Sequence, residues 1–374
     1  MAGEVNKGLE GVVVADSTIC LIQGMKGKLS YRGYDIKDLA EKCSFEEVAY
    51  LLFYEKLPNV KELSKFNAEL VRRRHIPKHV VEMMKTFAKK MNSTEALRST
   101  VSALSDDEPD PRDVSIDHQL EVAVSLTAKF PTIVAYYYRL KHKMKIIKPN
   151  PKLSHAANFI YMLTGNIPDQ ISERAMNMDF VLHAEHGFNA STFGVRVTVS
   201  TLSDMYSAMT TGIGVLKGPL HGGAAQEVME MLNTIGYAKN VESYVKKIIA
   251  KHGRVMGYGH RIYKTYDPRA RVLKKMAKEF SKKKNNMRWF EIGEKLEVVM
   301  AREKNIYPNV DFYSAIVYHH LGLPLDLDTP IFAIARITGW SAHAIAQYKD
   351  NRLIRPIENY IGPMNLKFVP LEKR

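Results

Sequence analysis

The sequence predicts a mostly α-helical protein that begins with a short β-element. After the first thirty residues, apolar residues recur at helical spacing, and the alternation typical of strands is almost absent. The chain has 374 residues, 45% hydrophobic and 25% charged, which is a globular composition without internal repeats. A chain of this length predicts two or three domains, or one large domain with a smaller one attached.

The β-like segments are residues 11–14, 17–22 and 29–31, and the turn-rich stretch QGMKGK joins the last two. Helical signals begin at Asp35. The sequence Ser44-Phe45-Glu46-Glu47 is a capping box at the start of one helix, which Leu57-Pro58 ends.

Further apolar stripes predict helices along the remaining chain. We expect a kink at Pro131, and an acidic connector, SDDEPDPR, at residues 105–112. Residues 191–216 are rich in Ala, Ser, Thr and Gly, which favours close helix–helix contact. The predicted helices are residues 63–70, 80–91, 94–104, 116–147, 171–183, 224–235, 241–251, 269–282, 288–303, 312–321, 330–337 and 341–348.

Charge and composition limit the partners. The net charge of +14 favours anionic ligands, but no zinc-finger spacing or RNA-binding signature is present, so nucleic acid is a minor hypothesis. Cys20 and Cys43 cannot form a metal site alone, and we expect buried thiols in a reducing cytosol. No signal-peptide pattern begins the chain, and the uncharged residues 205–216 are too few to span a bilayer. These features predict a cytoplasmic protein that does not bind membranes.

Residues 254–271, RVMGYGHRIYKTYDPRAR, combine the strongest chemical signals. Gly257 and Gly259 allow the main chain to approach a ligand closely, and His260 follows at once. Asp267-Pro268 is typical of a helix start, which places Arg269 in a first turn, where the helix dipole disfavours a cation. An anion site explains that placement. A plain loop-to-helix junction is the alternative.

Two further stretches contain histidines that could bind a ligand. In KGPLHGGAA, His221 lies between a Gly-Pro turn and Gly222-Gly223, just before a predicted helix. The helix dipole there lowers the histidine pKa and favours a neutral, hydrogen-bond-donating imidazole, although a simple turn histidine is possible. In LHAEHGFNAST, His183 and His186 share a helix face. A metal is discounted because Glu185 lies off that face, and a histidine that only caps the helix end is equally compatible.

Three arginines lack obvious partners in the sequence. They are Arg269, Arg336 in the apolar stretch IFAIARITGW, and Arg355 just before Pro356. Arginine forks match carboxylates, so this set favours a small dicarboxylate. Lys264, Lys304 and the GYG backbone could hold a second, phosphate-bearing ligand. Asp311 follows the predicted N-cap Asn309, where an acid by itself is ordinary capping chemistry.

These stretches resemble the citrate synthase family, in order and at family-like spacing. The strings that carry the resemblance are LSYRGYDIKDLA, LHAEHGFNAST, LKGPLHGGAA, VMGYGHRIYKTYDPRA, IYPNVDFYSAIVY, ARITGWSAHAIAQ and RLIRPIENYIGP. The resemblance implies a nearly all-α homodimer with a discontinuous large domain, residues 1–220 and 318–374, and a small domain, residues 221–317. It also implies condensation of acetyl-CoA with oxaloacetate and hydrolysis of citryl-CoA, with acetyl-CoA as a substrate and without a cofactor or metal.

The resemblance assigns roles residue by residue. The implied catalytic residues are His221, His260 and Asp311. Oxaloacetate is expected to contact His186, His260, Arg269, Arg336 and Arg355, with Arg355 reaching the partner subunit's site. Coenzyme A is expected to contact Val255, Met256, Gly257, Tyr258, Gly259, Lys264 and Lys304.

Two alternatives stay open at this point. The chain departs from familiar members at Gly187-Phe188 and at Gln347, which leaves open a 2-methylcitrate synthase that uses propanoyl-CoA. A non-catalytic acyl-CoA or nucleic-acid binder of the same fold is the second alternative. The presence of His221, His260 and Asp311 together argues against it, since a binder has no need of a base.

Overall fold

Sixteen α-helices and one small sheet make up the described chain, which comprises residues 5–88, 90–110, 112–222 and 224–374 of a computed structural model, with the main chain alone at Ala224. The helices are α1 Ile36–Lys42, α2 Phe45–Tyr54, α3 Val60–Arg73, α4 Lys78–Phe87, α5 Ser93–Ala103, α6 Ile116–Lys141, α7 His155–Thr164, α8 Gln170–His183, α9 Ala190–Ser200, α10 Met205–Leu216, α11 Ala224–Ile235, α12 Val241–Ala250, α13 Pro268–Lys283, α14 Arg288–Lys304, α15 Val310–Leu321 and α16 Asp328–Lys349. The mostly α prediction is confirmed.

The N-terminal sheet is antiparallel, with the strands β1 Cys20–Gln23, β2 Lys28–Tyr31 and β3 Tyr34–Asp35 in sequence order. Cys20 pairs with Tyr31 and Gln23 with Lys28, so the QGMKGK stretch forms the turn between β1 and β2. The predicted strand at residues 11–14 is wrong. That segment has no strand partner among the described residues, and Val13 is 87% exposed.

Helix starts follow the predicted capping chemistry. Ser44 Oγ accepts from Glu47 N, and the Glu47 carboxylate accepts from Ser44 N, which is a complete capping box. Asp267 caps α13, with Pro268 at the first helical position, and Asn309 caps α15. The caps at Asp267 and Asn309 set where the loop after His260 joins α13 and where the helix that carries Asp311 begins.

Helix ends and lengths differ more from prediction. Helix α6 continues through Pro131 but ends at Lys141 instead of residue 147. The two C-terminal helices predicted at residues 330–337 and 341–348 are one helix, α16, because Gly339 and Trp340 between them are buried and helical. The backbone of α16 at Gly339 lies so close to Ala184 that a Cβ would overlap the Ala184 carbonyl oxygen, so this helical position requires glycine.

Helix α16 lies at the centre of the fold and packs against α6, α8, α9 and α10. Its Trp340 and Arg336 are among the largest fully buried side chains. Helices α11 and α13 both pack against α15, and α13 and α15 also contact α8. The end of α8, the starts of α11, α13 and α15, and the middle of α16 are thereby brought towards one region.

Two other expectations concern surface and redox properties. Cys20 and Cys43 are free thiols, and both are partly exposed instead of buried as predicted. Among the described residues, no helix is both long and apolar enough to cross a membrane.

Candidate active site

A cavity of about 520 Å³ brings together the histidines and the aspartate singled out in the sequence. Its lining includes His221, His260 and Asp311, the predicted backbone run 255–259, and Lys304. Two loops supply His221 and His260, and the first turn of α15 supplies Asp311. The cavity therefore joins an acid–base cluster to a glycine-containing backbone segment.

The GYG segment forms one wall by pairing with the loop before α15. Gly259 N donates to Tyr307 O (2.9 Å), and Asn309 N donates to Gly257 O (2.8 Å). Gly257 has φ +72°, and a Cβ there would lie 2.9 Å from Phe312 Cβ, so protein contacts explain this glycine. At Gly259 a Cβ would meet nothing within 4 Å. The N–H and carbonyl of Gly259 are both bonded within the protein, the carbonyl to Asn309 Nδ2 (3.2 Å), so this glycine leaves space beside the main chain without leaving a free main-chain polar group.

His260 is held as a neutral hydrogen-bond donor. Its Nδ1 accepts from the backbone N–H groups of Ile262 (3.0 Å) and Tyr263 (3.2 Å). A backbone N–H can only donate, so the neutral ring carries its proton on Nε2. Burial, together with the nearby Arg269 cation, lowers the His260 pKa to about 4. At neutral pH the ring offers one N–H and no charge.

His221 is neutral for a related reason. Ser191 N donates to His221 Nε2 (3.3 Å), and the Ser191 hydroxyl lies 2.8 Å from the same nitrogen. The accepting role of Nε2 puts the ring proton on Nδ1. Burial and then the Arg336 cation lower the His221 pKa to about 4, whereas the sequence-based account named the helix dipole. Gly222 packs against the Leu216 carbonyl instead of a ligand, and Gly223 lies outside the described residues.

Asp311 lies in the first turn of α15, where its N–H is bonded to Asn309 Oδ1 (3.1 Å). Burial raises the pKa of this carboxyl group, and the charges of His183 and Arg269 oppose that rise. A carboxylate whose pKa is raised binds a proton more readily. Asp311 therefore has the properties of a general base as well as those of a first-turn acid.

His186 lies beside His260, with their ring centroids 5.3 Å apart. His186 Nε2 is 3.2 Å from the Tyr263 hydroxyl, and the histidine is buried. Burial, then Arg269, His260 and Arg336, hold its pKa well below the usual value. Arg269 and Arg336 are thus both close enough to lower the pKa of His186, which lies beside the neutral His260. Two cations beside two neutral histidines suit an anion with two carboxylates.

Arg269 has a partner that the sequence analysis missed. Asp267 accepts from Arg269 through both carboxylate oxygens, Nε to Oδ1 at 3.1 Å and Nη2 to Oδ2 at 2.8 Å, and both residues are buried. The expectation that Arg269 lacks a protein partner is wrong. The same carboxylate caps the helix through Arg269 N (3.0 Å), so Asp267 offsets the unfavourable dipole that had suggested an anionic ligand.

Arg336 is 1% exposed and is oriented by a main-chain oxygen. Its Nε donates to His183 O (2.7 Å), and its guanidinium lies 4.5 Å from the Phe332 ring centroid. Burial lowers the Arg336 pKa to about 10, and the Glu185 carboxylate is the main charge acting against this. With Nε committed to the protein, the two Nη groups are the ones that can meet a carboxylate.

Comparisons with known proteins bear on the family of the chain. The family profile "Citrate synthase, C-terminal domain" matches residues 8–357. A citrate synthase of Haloferax volcanii is 44% identical over 379 residues, covering 100% of both chains.

The chain belongs to the citrate synthase family. Its members are acyltransferases, and the tricarboxylic acid cycle is the associated pathway. A solved structure from Thermoplasma acidophilum, described as a ternary complex of citrate synthase with carboxymethyl coenzyme A and oxaloacetate, has a TM-score of 0.93, is 36% identical, and covers 99% of this chain and 100% of that one. The relatives also include 2-methylcitrate synthase 1 of Corynebacterium glutamicum, 37% identical with 99% of each chain covered.

Five of the residues assigned through the citrate synthase resemblance do not line this cavity. His186, Arg269 and Arg336 are buried, whereas the other two are on the surface. Lys264 is exposed, and its Nζ donates to Arg261 O (3.3 Å). Arg355 is exposed in the C-terminal segment after α16. Neither residue lines the cavity. Within the described residues, no group of three or more His, Cys, Asp and Glu side chains could hold a metal ion.

The structure also identifies supporting contacts that sequence reasoning did not predict. Ser191, Tyr263 and Asp267 contact the predicted site residues directly. His183 accompanies them: its Nδ1 lies 3.3 Å from Asp179 Oδ1, and Tyr318 donates to Asp179 Oδ2 (2.6 Å). Each belongs to a stretch already recognised as unusual, but single-residue spacing does not show which neighbour points inwards.

Proposed function

We propose that this chain condenses acetyl-CoA with oxaloacetate and hydrolyses the resulting citryl-CoA to citrate and CoA, the first step of the tricarboxylic acid cycle. The observation that carries the proposal is the convergence of His221, His260 and Asp311 on one cavity in complementary protonation states. Two neutral N–H donors and one basic carboxylate are what enolisation and carbonyl addition require.

Enolisation comes first. The Asp311 carboxylate removes a proton from the acetyl methyl group, and the electron pair moves into the thioester carbonyl. His221 stabilises the growing charge on that oxygen by hydrogen bonding from Nδ1, because its Nε2 is committed to Ser191. Neutral imidazole suits this role, since it stabilises the oxygen without protonating it fully.

Carbon–carbon bond formation follows. The enolate carbon attacks the oxaloacetate ketone carbon, and the carbonyl electron pair moves to the oxygen, which the Nε2–H of His260 polarises. The alkoxide then takes up one proton, which balances the methyl proton that Asp311 removed. We assign the carboxylates of oxaloacetate to His186, Arg269, Arg336 and Arg355. Water then cleaves the citryl thioester, which makes the condensation irreversible.

The coenzyme A site is the second part of the proposal. Residues 255–259 line the cavity, no atom lies within 4 Å of where a Cβ at Gly259 would be, and Lys304 adds a cation to the lining. We assign these residues to the adenine and phosphate groups, together with Lys264. The exposed position of Lys264 allows its long side chain to reach a phosphate in solvent.

We also propose a large domain of residues 1–220 and 318–374, a small domain of residues 221–317, and a homodimer. The oxaloacetate ligands are then divided, with His186 and Arg336 in one domain and His260 and Arg269 in the other, so the dianion ties the domains together. Support for the dimer comes from the extended C-terminal segment, in which Ile357 and Ile361 are 84% and 97% exposed. A partner subunit would cover these side chains and receive Arg355.

The test is release of free CoA thiol with oxaloacetate and either acetyl-CoA or propanoyl-CoA. We expect release that requires both substrates and is faster with acetyl-CoA. The alternative, 2-methylcitrate synthesis, has a relative in C. glutamicum that is 37% identical, against 44% for the citrate synthase of H. volcanii. One methylene in a pocket changes the discrimination between two substrates by only about 1–3 kcal/mol, so both acyl-CoA substrates have to be measured. A higher kcat/KM for propanoyl-CoA would reverse the substrate assignment. Acyl-CoA binding without any CoA release would show a non-catalytic binder.

A further inference from the structure

The N-terminal hairpin is defined as β1, β2 and the turn at residues 24–27. It contacts two segments of the candidate active site, here called walls: residues 185–187, which include His186, and residues 260–264, which begin with His260. Towards the His186 wall, the Tyr31 hydroxyl donates to Glu185 O (2.7 Å), one residue before His186. Ile22 packs on the same wall, since a Cβ at Gly187 would lie 3.2 Å from Ile22 Cδ1. The hairpin is therefore seated on the segment that carries His186.

The turn of the hairpin presses against the other wall, the loop that follows His260. Gly24 O accepts from Lys264 N (3.3 Å). A Cβ at Gly24 would overlap the carbonyl carbon and oxygen of Ile262, well inside van der Waals contact. Because both clashing atoms belong to the main chain, no rotation of a side chain could relieve the overlap. Only glycine fits this position with the loop where it is.

The loop contact leads directly to His260. The Ile262 carbonyl and the Tyr263 N–H belong to the same planar peptide unit, and that N–H donates to His260 Nδ1 (3.2 Å). The preceding N–H, from Ile262, donates to the same nitrogen at 3.0 Å. A displacement of the Ile262 carbonyl by a side chain at position 24 would rotate this peptide and weaken the bonds that orient the imidazole.

We propose that Gly24 is a positioning residue: its missing side chain lets the hairpin hold the 262–263 peptide in the orientation that fixes the ring and tautomer of His260. The role of His260 as carbonyl-polarising donor rests on the proposed function. The geometric part of the inference does not, because it concerns only how the imidazole is held.

Gly24→Ala tests the inference, with Met25→Ala as the matched control in the same turn, since the Met25 side chain is 74% exposed. The first readout is an NMR titration of the histidines, with the His260 signal identified by its loss in His260→Gln. The charged and titratable groups around His260 are Arg269, Asp267, Lys264, His186 and Tyr263, and neither variant removes any of them.

In the wild-type protein and in Met25→Ala, we expect a His260 pKa of about 4, so the ring stays neutral above that pH. In Gly24→Ala, looser packing admits water, so its midpoint moves up towards the ordinary value of about 6.5. With oxaloacetate and acetyl-CoA, we also expect kcat/KM to fall about tenfold or more, as expected when a catalytic donor is misplaced. A purely structural glycine would lower Tm and leave the titration unchanged.

Ile22→Ala covers the case in which Gly24→Ala does not fold. It removes side-chain atoms that pack the hairpin against Gly187, so we expect the midpoint of the His260 titration to shift upwards by less than in Gly24→Ala. An unchanged His260 titration in whichever of these variants folds overturns the inference. If the wild-type protein does not condense the two substrates, the proposed function fails, but the titration still decides whether Gly24 positions the ring.

Discussion

Ser191 contacts His221 through two atoms: its N–H donates to Nε2 (3.3 Å), and its hydroxyl lies 2.8 Å from the same nitrogen. The hydroxyl is itself fixed, because Trp340 Nε1 donates to Ser191 Oγ (3.0 Å) and the hydroxyl donates to Asn189 Oδ1 (2.7 Å). The first turn of α9 thus determines which His221 nitrogen faces away from the protein. The N–H that we propose as the donor to the thioester oxygen therefore depends on a residue thirty positions earlier in the chain.

Ser191→Ala removes the hydroxyl and keeps the backbone N–H. One net hydrogen bond is worth about 1 kcal/mol, and Trp340 loses its partner as well, so we expect kcat to fall about tenfold. The KM for oxaloacetate changes little, because the His221 contact strengthens only as the enolate forms. Ser105→Ala is the control, since that hydroxyl bonds to Ser102 O away from the cavity. Equal losses in both variants would remove Ser191 from this role.

Asp311→Asn keeps the size of the side chain and removes the base. We expect a folded protein that binds oxaloacetate but turns over about 10²–10⁴-fold more slowly, the range associated with general-base catalysis. Asp117→Asn is the matched control, because Asp117 occupies the same position in the first turn of α6 and is exposed. Near-normal kcat in Asp311→Asn would show that another group removes the methyl proton.

Local chemistry explains most of what the sequence predicted about the fold. The capping residues Ser44, Asp267 and Asn309 act within three residues of themselves, so their roles are visible in a single stretch. The apolar run at residues 11–14 has strand-like composition, but a strand also needs a partner, and pairing is not a local property. Likewise, the junction at Gly339 continues as helix because a neighbouring carbonyl requires a residue without a side chain.

Glycine, histidine and arginine in unusual settings led to the site prediction, and the structure places His221, His260 and Asp311 around one cavity. The partners of the site residues were harder to identify. Asp267 was predicted as a cap, and the structure shows the same carboxylate also holding Arg269. The link between Gly24 and His260 joins residues more than two hundred positions apart, and no local pattern in QGMKGK indicates it. Arg355 stays a prediction, since its expected role depends on a second chain.

The stability of the protein is expected to fall as the pH decreases, partly because of His155. This ring is buried 4.9 Å from Phe45, and burial, with a smaller effect of Arg74, lowers its pKa to about 3. In the unfolded chain the pKa is about 6.5, so below that pH the unfolded state binds a proton that the native ring does not. The native state therefore loses up to about 1.4 kcal/mol per pH unit from this residue.

His155→Gln removes the titrating group from both states. We expect it to be less stable than the wild-type protein at pH 7, but to lose roughly 2 kcal/mol less between pH 7 and pH 5 in urea unfolding. His79→Gln serves as the control, because the His79 side chain is 53% exposed. The same loss of unfolding free energy in all three proteins would show that His155 is not the group responsible.

The last prediction concerns Arg355, which is exposed in the segment that follows α16. If each site takes Asp311 from one chain and Arg355 from the other, two inactive variants can complement each other. We would mix equal amounts of Asp311→Asn and Arg355→Ala under conditions that exchange subunits. Half of the dimers are then mixed, and each mixed dimer has one site with both residues intact, so activity recovers to roughly a quarter of wild type in a twofold-symmetric dimer. If Arg355 serves its own chain, every site keeps one defect. Absence of recovery, with exchange shown independently by mass spectrometry of tagged subunits, would contradict the shared site.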